Sequence, residues 1–152
     1  RTMRDVKKIL AISSSGGHWT QLKRIAPAFK THTVVYISTL KGYAKEVSGS
    51  RYYKVKDASS WNKIGLIILF FQLFKIILIE KPDVVISTGA APGVFAIIIA
   101  RIFGAKTIWL DSIANYEKIS FSGKLAKYFT HLHLTQWKHL ATSTIQYSGS
   151  VL

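Results

Sequence analysis

The order of apolar segments predicts an α/β fold: a doubly wound, Rossmann-like parallel sheet with helices on both faces. Short strand-like runs alternate with longer helical stretches along the chain, which is typical of βαβ units. Some of these runs, such as residues 83–88 (DVVIST), have a continuously apolar centre instead of an alternating pattern. Strands of that kind are covered on both faces, as in a parallel sheet.

The first half of the chain contains three predicted strands. The β-branched residues of TVVYIS favour a strand at 33–38, and the glycines at 16 and 17 separate the first strand from the first helix. In order, the predicted elements are a strand at 8–13, a helix at 20–29, a strand at 33–38, a loop with a short helix at 39–50, and an edge strand at 52–56.

The second half continues the alternation of helices and strands. Pro82 ends a long helix, and Gly104 ends the next one. The predicted elements are a helix at 62–80, a strand at 83–88, a helix at 93–103, a strand at 106–110, a helix at 123–130 and a last strand at 131–135. Without a repeat or a linker, residues 1–152 are expected to form one domain, with Arg1 and Thr2 as additions before Met3.

Composition excludes several classes of site. The chain has no cysteine, so disulfides, zinc–thiolate sites, iron–sulfur clusters and a cysteine nucleophile are ruled out. Nothing resembles a signal peptide, and a cytoplasmic location is expected. The net charge of +14 indicates an anionic partner, and the 49% hydrophobic content favours a membrane surface over nucleic acid. No nucleic-acid partner is therefore expected.

The segment Ser13-Ser14-Ser15-Gly16-Gly17-His18 follows the first strand and opens a helix. Ligands bind at the carboxyl edge of a parallel sheet, and the glycines allow close approach of a phosphate to backbone N–H groups. His18 is placed to face such a ligand. The segment is neither a dinucleotide fingerprint nor a Walker A loop. The alternative is a tight strand–helix turn with a satisfied histidine.

Two later segments follow predicted strands at the same edge. Residues 87–93 (STGAAPG) are small enough to allow close approach of a ligand, and residues 111–115 (DSIAN) begin with one of only seven acids. Asp111 is a candidate to accept hydrogen bonds from sugar hydroxyls or to orient a histidine. Ordinary turn chemistry is the alternative for both segments.

The helix at 62–80 contains an apolar run, residues 64–79, that is interrupted only by Gly65, Gln72 and Lys75. One sheet can bury only part of such a helix, and a basic zone at residues 41–63 lies just upstream. A membrane interface is favoured; a protein partner and a deeper core are the alternatives. The candidate membrane contacts are Trp61, Lys63, Leu69, Phe70, Phe71 and Phe74.

No metal site is expected. His131 and His133 share one face of a predicted strand, but no third ligand is near them in sequence. The four tryptophans, Trp19, Trp61, Trp109 and Trp137, are expected to be core or interface residues, because no basic–aromatic pattern resembles an RNA-binding sheet.

Three ordered motifs together resemble one family. They are the Ser-Ser-Gly-Gly-His segment, the segment at 87–93, and Ser122-Gly123-Lys124-Leu125 followed by Thr135-Gln136-Trp137. The family is the membrane-associated subunit of split UDP-GlcNAc-type glycosyltransferases, whose members act in oligosaccharide, capsule and exopolysaccharide synthesis. Over residues 7–152 the chain also resembles the N-terminal half of the peptidoglycan enzyme that adds GlcNAc to a lipid-linked acceptor.

The resemblance implies the N-terminal half of a GT-B glycosyltransferase. This half would bind a polyprenyl-diphosphate-linked acceptor at the cytoplasmic face of the membrane, as a peripheral protein. A second chain would bind the UDP-sugar and complete a heterodimer, with no cofactor. His18 would be the base that deprotonates the acceptor. The implied acceptor or phosphate contacts are Ser14, Ser15, Gly16, Gly17, Thr88, Gly89, Pro92, Gly93, Asp111 and Ser112.

One segment departs from the family's pattern. Members commonly have a Glu-Ser pair and a nearby arginine where this chain has residues 111–115 (DSIAN). Two other functions stay open: a non-catalytic membrane scaffold that activates the donor-binding subunit, and an unrelated nucleotide-binding domain. A scaffold would not need His18, and a nucleotide-binding domain would bind its nucleotide without a partner.

Overall fold

A seven-stranded parallel sheet forms the centre of the computed structural model, which describes residues 6–57, 63–88, 90–110, 130–135, 140–141 and 145–147. The strand order across the sheet is β3-β2-β1-β4-β5-β6-β7. The strands are β1 (Lys8–Ile12), β2 (Thr33–Ser38), β3 (Arg51–Lys54), β4 (Val84–Ser87), β5 (Lys106–Leu110), β6 (Leu132–Thr135) and β7 (Gln146–Tyr147).

The strand order contains a topological switch point between β1 and β4. The chain moves outward from β1 through β2 to β3, then returns to the other side of β1 and proceeds from β4 to β7. Strands β1 and β4 are paired in parallel, with Ile12 opposite Ser87. Open parallel sheets bind ligands beyond the carboxyl ends of the strands at such a point. A ligand site is therefore expected in the segments after β1 and β4.

Helices cover both faces of the sheet, as predicted. Helix α1 (Gly17–Ile25) packs on one face, where Trp19 and Leu22 contact Ile9 and Ala11 of β1. Helices α2 (Lys63–Glu80) and α3 (Ala90–Ile102) pack on the other. Alternate residues of one strand thus enter different cores, because side chains of a strand alternate between the faces.

Helix α1 begins and ends earlier than predicted. It starts at Gly17 instead of residue 20, since Gly16 at φ 78° turns the chain into the helix. It ends at Ile25 instead of residue 29, and a short 3-10 helix (Ala26–Phe29) follows. Pro27 lacks the N–H that an α-helical hydrogen bond at that position requires.

The remaining predicted elements differ in smaller ways. Helix α3 starts three residues before its predicted position, and the loop at 39–50 contains a 3-10 helix (Lys41–Val47). The short strand β7 lies beyond the last strand that the apolar pattern predicts, at 131–135. The predicted helix at 123–130 lies outside the described residues except for its last position.

Helix α2 is apolar on both its inner and its outer surface. Its outer face, named here the α2 outer face, is exposed at Ile64, Ile67, Ile68, Phe71, Phe74, Leu78 and Ile79. The prediction of Leu69 as a membrane contact was wrong, because Leu69 is fully buried between the helix and the sheet. Phe70 is half-buried and packs edge-to-face on Phe95 of α3, so it is also largely a packing residue. Trp61 lies outside the described residues.

Gly93 allows α3 to pack closely on the sheet. A Cβ atom there would lie 1.9 Å from the Ser87 hydroxyl oxygen and 3.1 Å from the Trp109 ring. Gly93 and Pro92 are both buried. The prediction that Gly93 lines a ligand cleft was therefore wrong. The position that a Cβ atom would occupy lies in the core, and its absence makes room for Ser87 and Trp109.

The opposite, amino edge of the sheet is held by a buried carboxylate. Glu80, at the end of α2, accepts hydrogen bonds from Lys8 at 3.2 Å, Arg51 at 2.6 Å and the Tyr53 hydroxyl at 2.5 Å. Burial alone raises the pKa of Glu80, but these donors together outweigh it, so the pKa is lowered. The carboxylate stays ionised at neutral pH, and its contribution to stability is lost only as the pH falls through its lowered pKa.

We expect Gly93→Ala to destabilise the fold by about 1–3 kcal/mol, because the added methyl group overpacks the contact with Ser87 and Trp109. Urea unfolding of the purified protein measures this. Gly42→Ala is the matched control, since a Cβ at Gly42 meets no atom within 4 Å. Equal stability of the two variants would contradict the packing role of Gly93.

Candidate functional site

The loop after β1 turns directly into helix α1 at the switch point. Gly16 is the N-cap residue, and its carbonyl oxygen accepts hydrogen bonds from the backbone N–H groups of Trp19 and Thr20 at 3.1 Å each. Gly16 and Gly17 are exposed, and Ser14 and Ser15 are half-buried. The predicted phosphate-binding residues of this loop therefore lie together at the carboxyl edge.

The N-terminus of α1 is an electropositive position. Its first turn contains no acidic residue, and no side chain caps it. Backbone N–H groups and the helix dipole both favour an anion at such a place. Space is open around Gly17, since a Cβ there would meet no atom within 4 Å. The position can accommodate a phosphate group.

Two reciprocal hydrogen bonds join this loop to the segment after β4. The Thr88 hydroxyl donates to the His18 carbonyl oxygen at 2.7 Å, and the His18 Nδ1 atom lies 3.0 Å from the Thr88 carbonyl oxygen. Thr88 is fully buried. The prediction that Thr88 contacts ligand thus needs correction: its hydroxyl is used to hold the backbone of His18.

The contact with Thr88 determines the tautomer of His18. A carbonyl oxygen can only accept a hydrogen bond, so the neutral ring must carry its proton on Nδ1. Nε2 then has a free lone pair and is able to accept a proton. Because His18 is half-buried at the edge of the sheet, this is the arrangement that a general base requires.

Hydroxyl groups concentrate beneath this edge. Ser13 directly follows β1, and Ser38 is the last residue of the neighbouring strand β2. The Ser13 N–H donates to the Ile37 carbonyl oxygen at 3.2 Å. Both side chains are fully buried, and neither hydroxyl has a hydrogen-bond partner among the described residues. Buried hydroxyl groups without a hydrogen-bond partner are uncommon in proteins. This edge of the sheet is therefore unusual in the buried polar atoms it contains.

The sequence did not identify Tyr43 as part of the site. Its hydroxyl oxygen accepts a hydrogen bond from the Gly16 N–H at 3.0 Å, from a 3-10 helix on the other side of the loop. The only sequence signal was the presence of a tyrosine in a loop between two strands. Gly89, Asp111 and Ser112, which were also predicted here, lie outside the described residues.

The described residues contain no group of three or more His, Asp or Glu side chains suited to a metal ion. His131 instead contacts Thr107, whose backbone N–H donates to His131 Nδ1 at 3.0 Å. Burial, followed by the nearby charges of Arg101 and Lys106, lowers the pKa of His131. The buried Trp19 and Trp109 are core residues, as predicted.

We expect the neutral His18 ring to carry its proton on Nδ1, which ¹⁵N NMR of the imidazole nitrogens measures directly. His32 and His131 are internal controls with the opposite tautomer, because backbone N–H groups of Lys7 and Thr107 donate to their Nδ1 atoms. A His18 ring protonated on Nε2 would contradict the geometry described here.

Solved structures of other proteins share this fold, among them the following three. The first is MurG of Acinetobacter baumannii, with a TM-score of 0.76 and 13% identity, matched over 93% of this chain and 45% of that chain. UDP-N-acetylglucosamine 2-epimerase from Rickettsia bellii has a TM-score of 0.72 at 16% identity, over 96% and 45% of the two chains. The MnaA–UDP structure from S. aureus has a TM-score of 0.72 at 14% identity, over 96% and 46%. The chain thus has the fold of about half of each protein.

The sequence comparisons are more specific than the fold. The UDP-N-acetylglucosamine transferase subunit alg14 of Schizosaccharomyces pombe is 32% identical over 88 residues, covering 54% of this chain. The chain spans less than half of that relative, with 40% of its length matched. The family described as oligosaccharide biosynthesis protein Alg14 like matches residues 50–151, most of the sequence. The chain therefore belongs to the Alg14-like family of oligosaccharide biosynthesis proteins.

Proposed function

We propose that this chain is the acceptor-binding, membrane-docking subunit of a two-chain glycosyltransferase. It acts with a donor-binding subunit to transfer a sugar from a UDP-sugar to a polyprenyl-diphosphate-linked saccharide. Membership of an oligosaccharide biosynthesis family supports the reaction class, and the name of the fission yeast relative, a transferase subunit, supports a second chain. The observation that carries the proposal is the His18 ring at the switch point, held by Thr88 through Nδ1 so that Nε2 carries the lone pair.

The proposed reaction uses Nε2 of His18 as the general base. The acceptor hydroxyl gives its proton to Nε2 while its oxygen attacks the anomeric carbon of the donor sugar. The bond from that carbon to the UDP oxygen breaks, and UDP leaves. His18 would stabilise the attacking oxygen by accepting its proton as the new bond forms.

The acceptor's diphosphate would bind beside the base, at the N-terminus of α1. The exposed glycines allow the phosphate oxygens to approach the backbone, and the unopposed helix dipole favours their charge. The excess of 21 Lys and Arg over 7 Asp and Glu would attract a polyanionic substrate to the protein as a whole.

Membrane docking would use the α2 outer face. Seven large apolar side chains of this helix are exposed. The ring centres of Phe74 and Phe103 lie 5.6 Å apart, and this contact extends the apolar surface to the end of α3. Lys63 and Lys75 are exposed on the same helix and would approach anionic head groups. No helix within the described residues is long and apolar enough to cross a membrane. We propose peripheral binding at the cytoplasmic face, with Lys63, Phe71 and Phe74 as the contacts retained from the sequence prediction.

We expect His18→Ala to lower kcat of the reconstituted two-chain enzyme by about 10²–10⁴-fold, because a general base contributes on that scale. Assembly with the donor-binding subunit should be unchanged. His32→Ala removes a histidine away from the site, where its Nδ1 accepts from the Lys7 N–H, and should leave kcat unchanged. Near-normal turnover by His18→Ala would refute the catalytic role and favour the scaffold function.

We expect the purified chain to sediment with vesicles that contain anionic lipid, and to be released in part by salt. Replacing Ile67 and Phe71 together by Ser should weaken vesicle binding about a hundredfold or more, since each buried apolar side chain contributes about 1.5–3 kcal/mol.

The matched control for membrane binding is Val6→Ser with Leu40→Ser, which removes two exposed apolar side chains away from α2. This variant should bind vesicles like the unmodified chain. Equal binding by both double variants, or no binding by the unmodified chain at low salt, would overturn the assignment of the α2 outer face.

A further inference from the structure

The loop that contains His18 has a second support, on the side away from the sheet. The Tyr43 hydroxyl oxygen accepts a hydrogen bond from the Gly16 N–H at 3.0 Å. The Tyr43 ring also stacks on Trp19, with ring centres 4.4 Å apart and planes within 3° of parallel. One side chain therefore contacts the chain both before and after His18, at residues 16 and 19.

Trp19 holds the Tyr43 ring in a fixed position. It is 2% exposed and makes edge-to-face contacts with Tyr36 at 5.9 Å and Tyr52 at 6.0 Å. Its Nε1–H donates to Glu46 at 3.2 Å, and Glu46 is also paired with Lys23 of α1. A buried indole with contacts on its face, edge and nitrogen has one position, so it defines where the Tyr43 ring lies.

Gly16 needs a support of this kind. Its φ of 78° lies in the left-handed region, and glycine has the widest choice of backbone conformations of any residue. Thr88 holds the loop from the sheet through the His18 backbone, but this contact does not touch Gly16. The hydrogen bond to Tyr43 restricts Gly16 directly. By restricting Gly16, this hydrogen bond also reduces the range of backbone positions available to Gly17 and His18.

We propose that Tyr43 is a positioning residue for the His18 loop: its hydroxyl fixes Gly16 so that Nε2 of His18 stays aligned with the acceptor. This inference rests on the proposed function, since it assigns Tyr43 a role in turnover. Tyr43 acts through Gly16 and His18 and is not itself a catalytic residue. A small displacement of a base is enough to slow a reaction, because proton transfer requires close alignment of the two atoms.

We expect loss of the Tyr43 hydroxyl to change stability little, so that a role in positioning can be separated from a role in folding. Tyr43 is half-buried, and the 3-10 helix that carries it contains no buried residue. Tyr43→Phe keeps the ring and its stacking on Trp19 and removes only the hydrogen bond to Gly16. Tyr53→Phe is the matched control: it also removes a hydrogen-bonded tyrosine hydroxyl, but from the buried Glu80 at the amino edge of the sheet.

The test compares the two variants in the reconstituted enzyme and in the chain alone. Tyr43→Phe should lower kcat about three- to tenfold, the effect of losing one hydrogen bond that aligns the base. Its KM for the UDP-sugar and its Tm should be unchanged, because the donor binds the partner and the fold is intact. Tyr53→Phe should show the reverse: unchanged kcat and a lowered Tm. In the chain alone, the Gly16 amide hydrogen should exchange several-fold faster in Tyr43→Phe than in the unmodified protein.

Each result decides between the alternatives. Unchanged Gly16 exchange in Tyr43→Phe would overturn the contact, and kcat within twofold of the unmodified enzyme would overturn the role in turnover. An equal loss of kcat in Tyr53→Phe would show a general effect of lost hydroxyls and would also overturn the proposal. An unmodified pair without any turnover would instead overturn the proposed function itself, so the two failures are distinguishable.

Discussion

The two hydrogen bonds between Thr88 and His18 connect the fold to the proposed chemistry. They join the end of β4 to the start of α1 across the switch point, and they use a fully buried threonine. One bond fixes the backbone of the histidine, and the other fixes its tautomer. Because the strand order of this sheet makes β1 and β4 neighbours, the pairing of Thr88 with His18 depends on that order. Without it, the Gly-Gly-His segment would be an ordinary strand–helix turn.

The two faces of the sheet carry different cores. On the α1 face, Trp19 and its aromatic neighbours form a small core that supports the loop of the candidate site. On the other face, α2 and α3 form the larger core, and the outer surface of α2 stays apolar and exposed. Gly93 belongs to this larger core, since it brings α3 close to Ser87 and Trp109. The proposed docking to a membrane and the proposed positioning of a base would therefore use separate sets of residues.

The sequence predicted the α/β class, the helices on both faces and the position of the Gly-Gly-His loop, because apolar runs and glycines are local signals. It did not predict that Leu69 is buried, since α2 is apolar all round and its periodicity does not distinguish the two surfaces. It did not predict that Gly93 faces the core, since a small residue after a strand suits close approach of a ligand as well as close packing of a helix. Thr88 was identified, but its role was not. The contacts of Tyr43 with Gly16 and Trp19 join residues more than 20 positions apart, and only the folded chain brings them together.

The central claim is that this chain holds the base and the acceptor, and that a second chain must supply the donor. Turnover by the purified chain tests it most directly, with a polyprenyl-diphosphate-linked sugar and a UDP-sugar, in the absence and in the presence of the donor-binding subunit. We expect no product from the chain alone and product from the pair. Robust turnover by the single chain would contradict it.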